Sequence, residues 1–290
     1  MRRYRFIAEH RTQWRVEEMC RTLQVSRSGF YAWVGRSPSA RTQERHRLDA
    51  RIRTLFAAHR QVAGSPKLTA ALHQDGERIS RTWVARRMQA LGLRSKTRRI
   101  FRVTTNARHA YPIAPNRLQR RFHVPRPNQV WVSDITYVPT QRGWVYVAVF
   151  LDLYSRTVVG WAVSRSLHHQ LVLQALDRAI ARRQPPRGLL IHSDRGVQYA
   201  CEAFTTRLRS VGFRQSMSRK GNCWDNAVAE SFFKTLKTEL IYHHNFRDLP
   251  EVQHALFDYL EIYYNRKRLH ATLDYQTPSA FEQQNVCQCA

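Results

Sequence analysis

Val130-Trp-Val-Ser-Asp-Ile-Thr-Tyr-Val138 reads as a β-strand, because β-branched and aromatic residues dominate it and Pro125 and Pro127 punctuate the approach to it. Gly143–Leu151 and Thr157–Val163 follow as two more strands, joined by turns into a meander. Leu167–Arg182 reads as a helix. Gly188–Ile191 is a short, wholly apolar run, as expected of a strand buried on both faces. Ala203–Val211 reads as a helix and Phe213–Met217 as a last strand. Three antiparallel strands followed by alternating helix and strand make this region α/β: a mixed sheet with helices outside.

The next stretch is Gly221-Asn-Cys-Trp-Asp-Asn-Ala-Val-Ala-Glu-Ser-Phe-Phe-Lys-Thr-Leu-Lys-Thr-Glu-Leu240, helical from about Trp224. Asn226, Glu230, Lys234 and Lys237 recur at helical spacing on one polar face, and Val228, Phe232, Leu236 and Leu240 form a separate apolar stripe. A carboxylate flanked by lysines can hold a metal while the lysines touch phosphate. A surface helix with ordinary charge pairs reads the same way locally. Asp134 lies mid-strand, where a charge is costly unless it faces water, a partner or a metal. Asp194 follows the buried strand, at the carboxyl end where α/β sheets carry sites, although Asp-Arg-Gly is also common turn chemistry. A strand centre, a neighbouring strand end and a helix face would bring three carboxylates together. Such a gathering needs compensating charge. Two divalent ions would supply it, and oxygen-only ligands suit Mg²⁺ or Mn²⁺.

Composition points to a polyanionic partner. The 290 residues carry a formal net charge of +27, with 27 Lys and Arg against 7 Asp and Glu in residues 1–120 and 21 against 14 in the rest. An excess this concentrated fits nucleic acid, and the double-stranded DNA expected as partner follows from the resemblance given below. The five cysteines are scattered and odd in number, which excludes a secreted disulfide framework and fits a reducing compartment; the Cys287–Cys289 pair reads as tail. Val145–Leu151 is too short to span a bilayer, and the N-terminus lacks a signal-peptide core, so a cytoplasmic protein with no membrane partner is expected; that it is bacterial and nucleoid-associated is implied by the resemblance given below.

Toward the N-terminus, Val16, Met19, Cys20 and Leu23 share a helical face, and Ser26 can cap a second helix carrying Phe30, Tyr31 and Trp33. This is a helix-turn-helix candidate that would aim Arg27 and Ser28 at base edges; a plain helical hairpin has the same pattern. Leu48, Ile52, Leu55 and Phe56 mark a further helix. Ser65-Pro66 opens another that ends at Asp75-Gly76, and Ser80 caps one that stops at Gly92 and leaves Arg81, Arg86 and Arg87 for phosphates. Lys96, Arg98, Arg99 and Arg102 lie in a basic stretch without periodicity, either a solvated linker or a DNA-backbone track. Expected boundaries are 1–38 for the N-terminal helix-turn-helix-like segment, 39–94 for a second such unit, 95–127 for the basic linker and 128–290 for the α/β core with C-terminal helices.

The chain resembles orfB-type bacterial transposases of the insertion sequence three family, within the DDE transposase and retroviral-integrase superfamily. The core residues that carry the resemblance are Trp131-Val-Ser-Asp-Ile-Thr-Tyr137, Leu151-Asp-Leu-Tyr-Ser-Arg156 with Val159-Gly-Trp161, and His192-Ser-Asp-Arg-Gly-Val-Gln-Tyr199. Beyond them stand Ser218, Gly221-Asn222, Asp225-Asn-Ala227, Glu230-Ser-Phe-Phe-Lys-Thr-Leu-Lys237 and Tyr264-Asn-Arg-Lys-Arg-Leu-His270 with Thr277-Pro278. Val25-Ser-Arg-Ser-Gly-Phe-Tyr-Ala-Trp33 extends the match to the N-terminal part, while Val62-Ala-Gly-Ser-Pro66 departs from the family's Tyr-Gly-Ser-Pro.

The resemblance implies an RNase H-like core and a metal-dependent polynucleotidyl transferase acting in transposition. Asp134, Asp194 and Glu230 would be the catalytic, metal-holding triad, and Lys237 the basic residue completing the signature. It also implies a multimer that joins two element ends, and an upstream orfA product, separate or fused, as a partner. For DNA contact the candidates are Lys237, Lys234, Arg266, Lys267, Arg268, Arg27, Arg81 and Arg87. Asp152 is expected in a turn, Asp225 as favourable charge at a helix start, Asn226 beside the triad, and His192 in the core. The competing readings are a non-catalytic DNA-binding regulator and a structure-selective nuclease on the same fold.

Overall fold

A computed structural model describes residues 2–96, 111–220 and 223–287. Arg98, Arg99, Arg102, Gly221-Asn222 and Cys289, named above, lie outside the described residues. The chain divides into two compact units between Thr54 and Leu55, not at residue 38.

The first unit contains α1 (Arg2–His10), α2 (Val16–Thr22), α3 (Arg27–Val34) and the beginning of α4 (Ala40–Ala58). Ile7, Met19, Cys20 and Phe30 make its small core. The Ser26 hydroxyl accepts from the Gly29 N–H at 3.2 Å, so it caps α3 as the sequence indicates. Helix α1 has no counterpart in the sequence reading: four of its nine residues are Arg or His, and Ile7 alone is buried.

The second unit takes in the end of α4, then α5 (Ser65–Gln74) and α6 (Arg81–Ala90): Pro66 stands in the first turn of α5 as the sequence indicates, although Gly64 and not Ser65 is its cap, and Ser80 caps α6 by accepting from Trp83 N–H at 3.2 Å. The sheet follows: β1 (Val130–Thr140), β2 (Gly143–Asp152), β3 (Val158–Ser164), β4 (Leu190–Ser193) and β5 (Arg214–Met217), in the order β3-β2-β1-β4-β5. β1 pairs antiparallel with β2 and parallel with β4, which makes it the centre of a mixed sheet. Gly188 sits at φ +93°, outside strand geometry, so β4 starts at Leu190 and runs on to Ser193.

Helices cover both faces. α7 (His169–Arg183), α8 (Val197–Ala200) and α9 (Glu202–Ser210) pack on the face of Trp131, Ala148 and Phe150. α10 (Ala227–Glu239), α11 (Leu249–Phe257) and a π-helical segment, Asp258–Tyr264, pack on the face of Val132, Val147 and Val149. Gly160 admits α7 against β3: a Cβ there would stand 2.6 Å from Ala179 Cβ. α12 (Pro278–Cys287) ends the described chain. The Asn265 amide mimics a strand neighbour, accepting from Val158 N–H at 2.9 Å and donating to its carbonyl at 3.0 Å. Asp152 takes the turn role expected of it, accepting from Asn128 N–H at 2.7 Å and Tyr154 N–H at 2.9 Å.

Arg268 corrects one expectation. It does not face DNA: its side chain is 11% exposed and grips Glu239, the last residue of α10, through Nη2 at 2.9 Å and Nε at 3.0 Å. Lys67 of α5 reaches the same carboxylate at 3.6 Å, and the Tyr259 hydroxyl donates to it at 2.8 Å. Burial alone would raise the Glu239 carboxyl, but Arg268 and Lys67 overcome that and hold it below the usual range. His270, two residues on, is buried beside Arg268 at 3.1 Å. Removing one partner of so buried a pair strands the other. Arg268→Gln is therefore expected to cost roughly 3–5 kcal/mol in chemical denaturation, and Arg266→Gln, on an exposed side chain two residues away, within about 0.5 kcal/mol.

Candidate active site

The sheet register brings the first two carboxylates together. β1 and β4 pair as Val130↔Leu190, Trp131↔Ile191 and Val132↔His192. Two residues beyond the last pair lie Asp134, on the face that α10 covers, and Asp194, just past the end of β4, whose charge acts on Asp134. β4 ends at Ser193, so among the described residues no ladder partner lies on that edge of β1 beside Asp134, and the two acids stand where the strands part. α10 carries Glu230 over that face, held by the buried stripe Ala229, Phe232, Phe233 and Leu236. This stripe is wider than the one read from the sequence, with Val228 at its margin.

The three acids feel one another. Burial, and then the charges of Asp194 and Glu230, push the Asp134 carboxyl well above the usual range, against Ile135 N–H (2.7 Å) and Lys237, which favour the charged form. Burial and Asp194 raise Glu230. Burial lowers Lys237, and Asp134 opposes that shift. Asp194 is fixed by Gly196 N–H, which donates to its Oδ1 at 2.9 Å. Buried Tyr199, whose hydroxyl pairs with that of Ser133 at 2.8 Å, is raised by burial and by the charges of Asp134 and Asp194. Among the described residues no three His, Cys, Asp or Glu side chains close into a finished metal cage. The donor set nonetheless fits a hard divalent cation: its oxygens are all carboxylate, and the repulsion that raises Asp134 and Glu230 is what such a charge would relieve.

A network missed in the sequence ties the carrying elements together. Asp225, read there as helix-start charge, is a buried hub in the turn before α10. It accepts from Arg219 N–H at 2.9 Å, Arg219 Nη2 at 2.9 Å, Arg120 Nε at 2.9 Å and Asn116 Nδ2 at 2.9 Å. Arg219 and its companions hold its carboxyl far below the usual range. Segment 116–120 of the supposed linker is thus anchored, and Leu118 is buried in the core. The Asp225 carbonyl accepts from His192 Nε2 at 2.9 Å. That leaves His192 Nδ1 as acceptor for the Ser216 hydroxyl at 2.8 Å, while Ser216 Oγ accepts from Arg117 and Leu118 N–H. The arrangement needs neutral imidazole, and burial lowers His192 to about 4. Two residues before Asp194 and five before Glu230, this junction fixes the spacing between β4 and α10. Asn226 is buried with Oδ1 unpartnered, and α10 begins after it, so it does not continue the polar face of Glu230.

Of the remaining candidates, Arg266, Lys267, Lys234, Arg27 and Arg81 are exposed, and Arg87 is half-buried. Arg27 stands 3.8 Å from Glu17 and over the Tyr31 ring. Lys237 Nζ lies 4.9 Å from the Tyr137 ring centre. No helix among the described residues is long and apolar enough to cross a membrane.

Comparison with known proteins agrees with this architecture. Residues 124–223 and 211–278 match models of the integrase core domain, and residues 43–101 match an HTH-like domain. A Shigella sonnei protein described as the insertion element IS600 uncharacterized 31 kDa protein is 42% identical over 265 residues, covering 91% of this chain and 97% of that one. The transposase InsF for insertion sequence IS3A of Escherichia coli is 38% identical over 286 residues, 98% of this chain and 99% of its own. The HTLV-2 integrase catalytic core domain, solved in complex with magnesium, aligns with a TM-score of 0.41 at 17% identity, over 55% of this chain and 97% of that one. With near-full-length identity to InsF and an integrase core in the matching place, the chain belongs to the transposase family of the insertion sequence three elements.

Proposed function

We propose that this transposase cuts and joins DNA strands at the ends of its element, with Asp134, Asp194 and Glu230 as the reacting set. The observation that carries the reading is that Asp134 and Glu230 are both raised, by burial and then by the charge of Asp194, with Asp134 raised further by Glu230. Pairs and triads of carboxylates perturbed this way mark working sites. These three residues would hold Mg²⁺ or Mn²⁺. When bound, the ions polarise the phosphodiester and activate water or a 3′-hydroxyl as nucleophile. The chain's own residues do the rest. Ile135 N–H and the Gly196 N–H orient the two aspartates. Lys237, beside Asp134, takes a phosphate near the cleaved bond, and Lys234, Arg266, Lys267, Arg27, Arg81 and Arg87 are the further candidates for the DNA backbone. The HTH-like helices would hold the duplex. Joining two ends requires more than one copy, and a second, orfA-type polypeptide is a candidate partner for end recognition. A DNA-binding regulator without catalysis has no use for the three acids.

Strand cleavage and strand transfer on DNA carrying the element's terminal repeats test this reading. Product is expected with Mg²⁺ and not with EDTA, and Glu230→Gln should lose more than about a hundredfold in rate while DNA binding by anisotropy is largely kept; equal loss of both would sink the assignment. Stability should move the other way. A raised folded pKa means that the cost of ionised Asp134 is fully present above that pKa and disappears as pH falls below the unfolded value. At neutral pH and without divalent ions, Asp134→Asn should therefore raise Tm, by about 2–4 °C per kcal/mol of repulsion relieved, and Mg²⁺ should raise Tm of the parent chain more than that of the variant. Asp225 has the opposite sign: its depressed pKa stabilises the fold above the unfolded value, and that contribution fades as pH falls below it. Asp225→Asn is expected to cost about 1–3 kcal/mol at pH 7, less at pH 3, and to slow cleavage about tenfold or more with DNA affinity unchanged.

A further inference from the structure

Beside the acids, the β1–β2 hairpin carries an aromatic surface that the chemistry above does not use. Trp144, cross-strand from Pro139, is 45% exposed although it is among the largest side chains of the sheet. Its ring meets Tyr137 edge-on, 5.0 Å between centres at 86°. Lys237 Nζ stands 4.9 Å from the centre of the same Tyr137 ring and also feels Asp134. The lysine therefore links Tyr137 to Asp134. β4 pairs with β1 only as far as Val132, and among the described residues the edge is next bridged at Thr140, by Phe246, so it is open beside Asp134. A lone exposed aromatic needs no explanation. This one is braced by a perpendicular ring, and that ring in turn meets a cation that feels Asp134.

We propose that Trp144 and Tyr137 form a stacking platform for a single unpaired nucleobase of the DNA strand next to the scissile phosphate, with Lys237 on the adjoining phosphate. The inference rests on the strand-transfer reading and adds what happens to the flanking base. A phosphate seated at the open edge of β1 brings its neighbouring nucleotide over the hairpin. Base–aromatic stacking then repays much of the cost of taking that base out of the duplex, and it tolerates any base because each has a π-face. Charge complementarity selects nucleic acid over an apolar protein partner: the cation lies against the Tyr137 ring, in a chain of net charge +27.

Photo-crosslinking tests this without turnover. The Glu230→Gln full-length chain is bound to terminal-repeat duplexes carrying 5-iodouracil at single positions on either side of the scissile phosphate. The expected result is a crosslink at one position that maps to the peptide of Trp144 or Tyr137, vanishes in Glu230→Gln/Trp144→Ala and persists in Glu230→Gln/Trp144→Phe. In the cleavage-competent background, Trp144→Ala should slow cleavage of paired duplex about tenfold, Trp144→Phe much less, and a mismatch at the stacked position should restore most of the rate. Bound DNA with no crosslink at the hairpin, or a Trp144→Ala defect that a mismatch does not relieve, overturns the platform. So does a Trp144→Ala change that lowers oligomeric mass and leaves the crosslink intact, since the surface is then a protein contact. Failure of the underlying reading looks different: the parent chain itself makes no product with Mg²⁺.

Discussion

Three carboxylates held within reach of one another are the constraint on which the rest of the second unit depends. Left to themselves they separate or take up protons, and the raised Asp134 and Glu230 record that tension. The fold resists with its stiffest parts: the middle of the central strand, the end of its parallel neighbour, and a helix seated by two phenylalanines. A loop carrying any of the three could relax away, whereas a strand in register cannot move one residue without moving its whole face.

α10 is fastened at both ends by the opposite electrostatics. Asp225, in the turn before it, and Glu239, its last residue, are buried carboxylates that arginines hold in the charged form. Glu230, between them, is the one destabilised as an anion. The anchors come from far along the chain: Arg120 and Asn116 at one end, Arg268 and Lys67 at the other. Helix position is thus set by ion pairs outside the reacting centre, and the strained carboxylate keeps its place because its helix cannot rotate or slide. Stability spent on repulsion at Glu230 is offset by pairing at Asp225 and Glu239, the pattern expected where local rules are broken for function.

Much of this was legible in order along the chain. Alternation and β-branching mark β1, β2 and β3, the apolar run marks β4, and Ser26, Pro66 and Ser80 mark helix starts, because each signal arises from neighbours in sequence. The three acids could be singled out by where they fall on those elements. Partnerships could not. Arg268 stands beside Arg266 and Lys267 with the same chemistry, and only the position of Glu239, 29 residues away, separates a buried strut from exposed cations. Asp225 looks like favourable charge at a helix start, which it is, but its partner Arg120 lies 105 residues earlier, in a segment with no periodicity. Gly188 hid the true start of β4, since an apolar run does not reveal a positive φ.

A high count of basic residues therefore does not measure a nucleic-acid surface in this protein. Arg268, Arg120 and Arg219 are committed to carboxylates at the two ends of α10, and Arg183 binds Glu282 through Nη1 at 2.8 Å. Their charge contributes to the long-range field that draws a polyanion in. Other cations, such as Lys234, Arg266 and Lys267, stay exposed. Lys237 belongs to both groups: half-buried against Asp134 and Tyr137, it is placed by the fold and still open to a phosphate. Attraction and alignment are separate tasks, and here most arginines that build the site are not the ones free to touch its substrate.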